Sequence, residues 1–220
     1  RLCSRHENAA VVCMEGYGPT NPELGVIGEA PANTEDNWCQ TCQTPYKKSC
    51  LDKNHKRGQP FVGQAGQLLR RALVEAKLII KNVRMTNVVR CCGTNPNMLQ
   101  IRKCAQYLAS ELQMLDYSRC VGIMVLGESA CRGYTNKGTL KIRDARLRSL
   151  NGHGPTVPVP VRATYHPASA LPGRKPELYT EIVQDFVALR SRRDPVKPVI
   201  RVSTHADLDR QFGIEAVLGL

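Results

Sequence analysis

Short apolar runs alternate with amphipathic stretches through most of the chain. Residues 24–28 form an unbroken apolar run closed by Gly28, the pattern of a strand buried on both faces. Leu68, Leu69, Ala72, Leu73 and Ala76 recur at the spacing of one helix face. Residues 83–89 read as the next strand, with Asn87 near its carboxyl end. A helix is predicted over 101–115, a third strand over 121–126 ending at Gly127, and another helix from 129 to 134. Residues 159–165 alternate as a fourth strand and run into His166-Pro167. Pro176 opens the last helix, predicted over 178–189. This alternation predicts an α/β fold: a three-layer α/β/α sandwich around a central, mainly parallel four-stranded sheet. Such sheets bind ligands at the carboxyl ends of their strands.

The main domain is expected over residues 1–190, interrupted by a cysteine-rich insert at 37–57. Residues 191–198 (SRRDPVKP) read as a charged, proline-containing linker. Residues 199–220 begin as a strand and a short helix. They suit either an extension packed on the domain or the opening of another domain. Their short likeness to the start of a polymerase 3′–5′ exonuclease module lacks that module's catalytic carboxylates.

Composition narrows the chemistry. At 220 residues and 42% apolar content, the chain can bury a real core. No apolar run approaches the roughly 18–20 residues of a membrane span, so no membrane partner is expected. The opening Arg1-Leu2-Cys3 shows no secretory signal, and its abruptness fits a natural chain that begins upstream. A net charge of +12 points to an anionic partner, nucleic acid first. Basic residues are spread over Lys47, Lys48, Lys53, Lys56 and Arg57, then 141–148, then 190–193. That distribution suits a groove lined from several loops. Ten cysteines without a secretory signal favour metal or cluster ligation over disulfides. The implied setting is a reducing compartment, cytoplasmic or nucleoid-associated.

Candidate chemistry falls in four short segments: Gly28-Glu29-Ala30-Pro31, Gly58-Gln59-Pro60-Phe61-Val62-Gly63, Thr86-Asn87-Val88-Val89 and Tyr165-His166-Pro167. Glu29 follows a strand, where a carboxylate could orient water or stabilise a cationic sugar. Phe61, one of three Phe, lies in a Gly/Pro loop and offers a face for stacking. Asn87 carries both donors and acceptors, so it can read the polar edge of a base. His166 at a strand end could donate to an oxygen on which negative charge develops. Cys39-x2-Cys42, Cys50 and His55 have zinc-like spacing.

In order and spacing, these segments resemble the uracil-DNA glycosylase superfamily, most closely its iron–sulfur (family 4) branch. By that resemblance the loop from Gly28 cradles the base through Ala30, and Glu29 is the acidic residue of the site. The final Gly of the family's Gly-Glu-Ala-Pro-Gly loop is Ala32 here, and the Glu35-Asp36 pair matches the pattern. Phe61 would stack on a flipped base, Asn87 would pair with the uracil edge, and His166 would stabilise the departing uracil anion. Leu171, beyond the His-Pro turn, is the candidate DNA wedge. The covalent-trapping branch does not match, because residues 98–102 contain no His.

Family 4 members also hold a [4Fe–4S] cluster. Cys91 and Cys104 match two of its ligands, and Cys3 matches the second Cys of an N-terminal pair whose partner would precede Arg1. The fourth ligand stays open at this level. Cys39 or Cys42 could supply it, or Cys39, Cys42, Cys50 and His55 could form a separate zinc site. Cys13, Cys120 and Cys131 read as core. The resemblance implies an enzyme that flips uracil from DNA and hydrolyses its N-glycosidic bond. The competing readings are a non-catalytic glycosylase-like DNA-binding domain in a larger assembly, with other domains or replication proteins as partners, and a zinc-knuckle nucleic-acid binder.

Overall fold

The computed structural model describes residues 4–146, 148–152 and 156–191. The linker from 192 onward and the extension lie outside these residues, as does Cys3. In chain order, a 3-10 turn (Ser4–Asn8) precedes β1 (Leu24–Gly28) and the short helix α1 (Asn33–Asp36). A small hairpin of β2 (Trp38–Cys39) and β3 (Thr44–Pro45) follows, then α2 (Lys48–Asp52) and α3 (Gln64–Glu75). Next come β4 (Val83–Asn87), α4 (Met98–Gln113), β5 (Ile123–Leu126), α5 (Gly127–Thr135) and α6 (Ile142–Ala145). β6 (Val161–Thr164), a 3-10 turn (Pro167–Ala170) and α7 (Leu178–Arg190) complete the described fold.

The central sheet has the order β4-β1-β5-β6, and all of its pairings are parallel. This confirms the predicted four-stranded sheet and makes it wholly parallel. Successive side chains alternate between its two faces. Ile27, Ile123, Val125, Val161 and Ala163 pack with Ile101, Leu108 and Leu112 of α4 and with Ala130 and Cys131 of α5. Leu24, Val26, Met124 and Leu126 pack with Leu69, Ala72 and Leu73 of α3 and with Ile182 and Phe186 of α7. Both faces are thus covered, which is why β1 and β5 read as continuous apolar runs. β1 matches its predicted bounds, while β4, β5 and β6 are shorter than their sequence patterns. Residues 88–89 and 121–122 stay buried or half-buried beside the sheet as connections rather than ladder.

The strand bearing Asn87 is fixed to α4 by charge. Glu111 accepts from Arg84 Nε at 2.8 Å and from Thr86 Oγ1 at 3.0 Å, and it pairs with the buried Arg90. Among the described residues no helix is long and apolar enough to cross a membrane.

Candidate active site

Glu29, Asn87, Gly127 and His166 all stand at or just past carboxyl ends of the parallel strands. Asn87 closes β4, and its backbone partner across the sheet is Gly28. Asn87 and Phe61 are both almost completely buried, at 5% and 4% exposure. A β-carbon placed on Gly28 would stand 2.5 Å from Asn87 Oδ1 and 2.6 Å from Phe61 Cζ. The amide and the ring therefore converge on a spot that only glycine leaves open.

Phe61 is held in an unusual backbone conformation, with φ 60° in the left-handed region. A bulky residue pays strain there of about 1–3 kcal/mol, so its neighbours must over-determine it. Glu35 Oε1 accepts from the Phe61 amide at 2.7 Å, and Oε2 accepts from the Ala32 amide at 2.9 Å. One buried carboxylate thereby ties the Glu29–Ala32 loop to the Phe61 loop. Burial pushes the Glu35 carboxyl above its ordinary range, and the backbone amides offset part of that rise. Gly66 lets the first turn of α3 lie against the Phe61 backbone, a space that a β-carbon would fill.

His166 faces the site from the end of β6. Its Nδ1 accepts from the Ala168 amide at 3.2 Å, which leaves Nε2 to carry the proton of the neutral ring. Burial lowers its pKa, with the charge of Glu29 working the other way. Gly127, at φ 80°, lets β5 approach closely, since a β-carbon there would stand 2.7 Å from His166 Cβ. The preceding Tyr165 lies under the Arg146 guanidinium, 5.3 Å from the ring centroid. Arg146 is anchored in turn by Asp185 at 2.7 Å and by Glu181.

Glu29 is half-buried, and its Oε1 accepts from the Asn95 amide at 2.8 Å. The loop is fastened to the segment after β4 by Val89 N to Glu29 O (3.0 Å) and Gly93 N to Pro31 O (3.0 Å). Ala30 packs against the apolar layer on the α4 and α5 side. Ala32 is exposed, with φ −83° and ψ 166°. That is extended backbone open to any residue, so alanine in place of the family glycine does not itself deform the loop. Leu171 ends the 3-10 turn that follows His166, half-buried, next to the exposed Arg174 and Lys175.

Cys91 and Cys104 are buried on the α4 side, at 4% and 5% exposure. The Cys13 amide donates to Cys91 Sγ at 3.4 Å, the kind of contact that thiolates in iron–sulfur sites receive. Cys13 is only half-buried and has φ 58°, so it is not the core residue its apolar context predicted. Cys120 and Cys131 are core. Arg5 Nε donates to Gln100 Oε1 at 3.0 Å, fastening the turn just after Cys3 to the segment between Cys91 and Cys104. Among the described residues, the two buried thiols Cys91 and Cys104 have the chemistry that an iron–sulfur group takes as ligands.

Cys39, Cys42, Cys50 and His55 form a second group, separate from Cys91 and Cys104. Burial opposes ionisation of Cys39, but hydrogen bonds from Cys42 and His55 outweigh it and draw that thiol down to about 6. Around the residues singled out in the sequence, the structure adds groups that brace them. The sequence marks Glu35 only within the Glu35-Asp36 pair and Gly127 only as a strand end; their contacts with Phe61 and His166 span distant parts of the sequence, while Gly66 acts on Phe61 from the next turn of chain.

A parallel α/β sheet carries a buried phenyl ring, a buried side-chain amide and an imidazole at or near its carboxyl edge, where sheets of this kind bind ligands. The family model of the uracil DNA glycosylase superfamily matches residues 15–187. The chain belongs to that superfamily. It is 30% identical over 176 residues to the Type-4 uracil-DNA glycosylase of Pyrobaculum aerophilum, covering 79% of each chain. It is 29% identical over 194 residues to that of Archaeoglobus fulgidus (84% of each) and 26% identical over 192 residues to that of Thermotoga maritima (86% of each).

Proposed function

We propose that this protein is a uracil-DNA glycosylase that flips uracil out of DNA and hydrolyses its N-glycosidic bond. The observation carrying this reading is the convergence of Phe61 and Asn87 on Gly28, with His166 following β6 at the same carboxyl edge of the sheet. A flipped pyrimidine stacks on Phe61, a contact worth about 1–3 kcal/mol. The Asn87 amide pairs with O4 and N3–H of the base. As the C1′–N1 bond breaks, its electron pair moves onto uracil, and the sugar becomes an oxocarbenium-like cation. His166 Nε2–H donates to uracil O2 as charge collects there. Glu29 balances the sugar cation or orients the water that adds to C1′. Ala30 lines the loop under the base, and Leu171 enters the duplex as the wedge, with Arg174 and Lys175 beside the phosphates.

Cys91 and Cys104, with Cys3 from the N-terminal segment, would hold a [4Fe–4S] cluster, whose contribution when bound is to staple that segment to α4. The described cysteines form no disulfide, which suits a reducing compartment where the chain meets DNA.

The test is incubation with single- and double-stranded oligonucleotides bearing one uracil. Alkali-labile breaks at the uracil, lost in Asn87→Ala, are expected. Tight binding with no breaks would instead make the chain a glycosylase-like binder within a larger assembly.

A further inference from the structure

The insert between α1 and α3 has almost no core of its own. Within residues 37–57 only Cys39 and Cys50 are buried. A module this small needs a staple, because so few buried groups cannot offset the entropy of ordering it. Cys39 lies on β2, Cys42 in the hairpin turn, Cys50 on α2, and His55 on the strap leading to Arg57. One ligand atom from each lies within 4.8 Å of all the others.

Three of the six ligand-atom separations lie close to those around one ion. Cys42 Sγ is 3.9 Å from Cys50 Sγ and 3.3 Å from His55 Nδ1, and Cys39 Sγ is 3.6 Å from His55 Nδ1. Tetrahedral zinc, with bonds of about 2.3 Å to sulfur and 2.0–2.1 Å to nitrogen, sets its ligand atoms about 3.5–3.8 Å apart. An iron–sulfur cube spreads its thiolates farther, one to each iron. The Cys42 amide also donates to Cys39 Sγ at 3.3 Å, bracing a sulfur that would carry negative charge.

We propose that Cys39, Cys42, Cys50 and His55 bind a single Zn²⁺ through three sulfurs and one imidazole nitrogen, independently of the iron–sulfur thiols. The ion closes the insert, and the closed insert holds the loop that carries Phe61. Gly58 N donates to Trp38 O at 2.8 Å, and Gln43 Nε2 donates to the buried Gln59 Oε1 at 3.0 Å. The metal is therefore structural, with every position filled by protein.

The test counts zinc and iron separately in protein purified without added metal, for the wild type, Cys42→Ser/Cys50→Ser, His55→Cys and Cys91→Ser. One zinc per chain is expected in the wild type, retained in His55→Cys and in Cys91→Ser, and lost in the double variant, whose iron stays unchanged. Cobalt added to the chelated wild type should give the red-region bands of a tetrahedral thiolate site, which keeps the question decidable if the double variant does not fold. Zinc unaffected by the double substitution would overturn the proposal. So would iron that leaves with Cys42 and Cys50, or a Cys42–Cys50 disulfide in a zinc-free wild type.

Discussion

The Phe61 amide donates to the Glu35 carboxylate, 26 positions away in sequence, at 2.7 Å in a buried setting. The same carboxylate receives the Ala32 amide at its other oxygen. A residue that touches no base in the proposed reaction thus fixes both loops that would. This acceptor is one of the contacts that hold Phe61 in its left-handed backbone.

Glu35→Gln offers one oxygen where two amides donate, so one amide faces an NH2 group. Leaving one buried donor unsatisfied costs about 1–3 kcal/mol, which urea denaturation would register. Uracil release should weaken chiefly through KM, because the stacking ring is displaced while His166 is untouched. A variant with normal KM and stability would show that the Phe61 loop holds its shape without Glu35.

Gly28→Ala tests the convergence of amide and ring directly. The new methyl would meet Asn87 Oδ1 and Phe61 Cζ at once, and both belong to packed elements. Overpacking of this kind costs about 1–3 kcal/mol. Uracil excision should fall far more than stability does, because the amide and the stacking face move together. Activity within about twofold of wild type would mean that the two side chains do not serve one base.

His166→Ala removes the proposed donor to the leaving base. Single-turnover excision should slow by about 10²–10³-fold, with little change in DNA affinity. The ring also carries a pH signature. Burial depresses its folded pKa, while the unfolded ring titrates near about 6.5. Between those two values the unfolded chain binds more protons, so stability rises with pH through that window. The contribution is complete above about 6.5 and is lost as pH falls toward the folded value. Protonation of Nδ1 would also break the Ala168 hydrogen bond. Urea midpoints followed from about pH 8 to about pH 5 should therefore drop more in the wild type than in His166→Asn. Parallel curves would refute it.

How much of this was readable from the chain depends on the range of the interaction. Leu24, Val26 and Ile27 announced a doubly buried strand because burial on both faces leaves an apolar run in sequence. Asn87 and His166 stood out because a polar residue closes such a run. Phe61 announced itself by composition and by its Gly/Pro loop, yet its left-handed backbone did not, since that conformation is imposed by Glu35 and Gly66 through contacts made only in the fold. Cys13 looked like core among Val11, Val12 and Met14, but its backbone turns its amide to Cys91. Ala32 stands where the family pattern has glycine, and only the fold shows that its backbone is extended and exposed, so that no glycine is required there. The boundaries of the strands at Asn87 and Ile123 were also hidden, because neighbouring apolar residues remain buried without joining the ladder.

The insert supplies the last prediction. Lys47, Lys48 and Lys53 are exposed around α2, close in sequence to the Phe61 loop, with Asp52 the one acidic residue in that stretch. If this face lies along the DNA backbone, each phosphate contact removed should lower the log–log salt slope of binding by about 0.7–0.9. Lys47→Gln/Lys48→Gln/Lys53→Gln should then flatten that slope and weaken binding to all sequences alike. Excision at saturating DNA should stay the same, because none of the three approaches Asn87 or His166 in the proposed chemistry. Fluorescence anisotropy across a salt series, with a uracil-containing and a uracil-free duplex, separates the terms. An unchanged slope would place the insert away from the DNA and leave bracing of the Phe61 loop as its contribution.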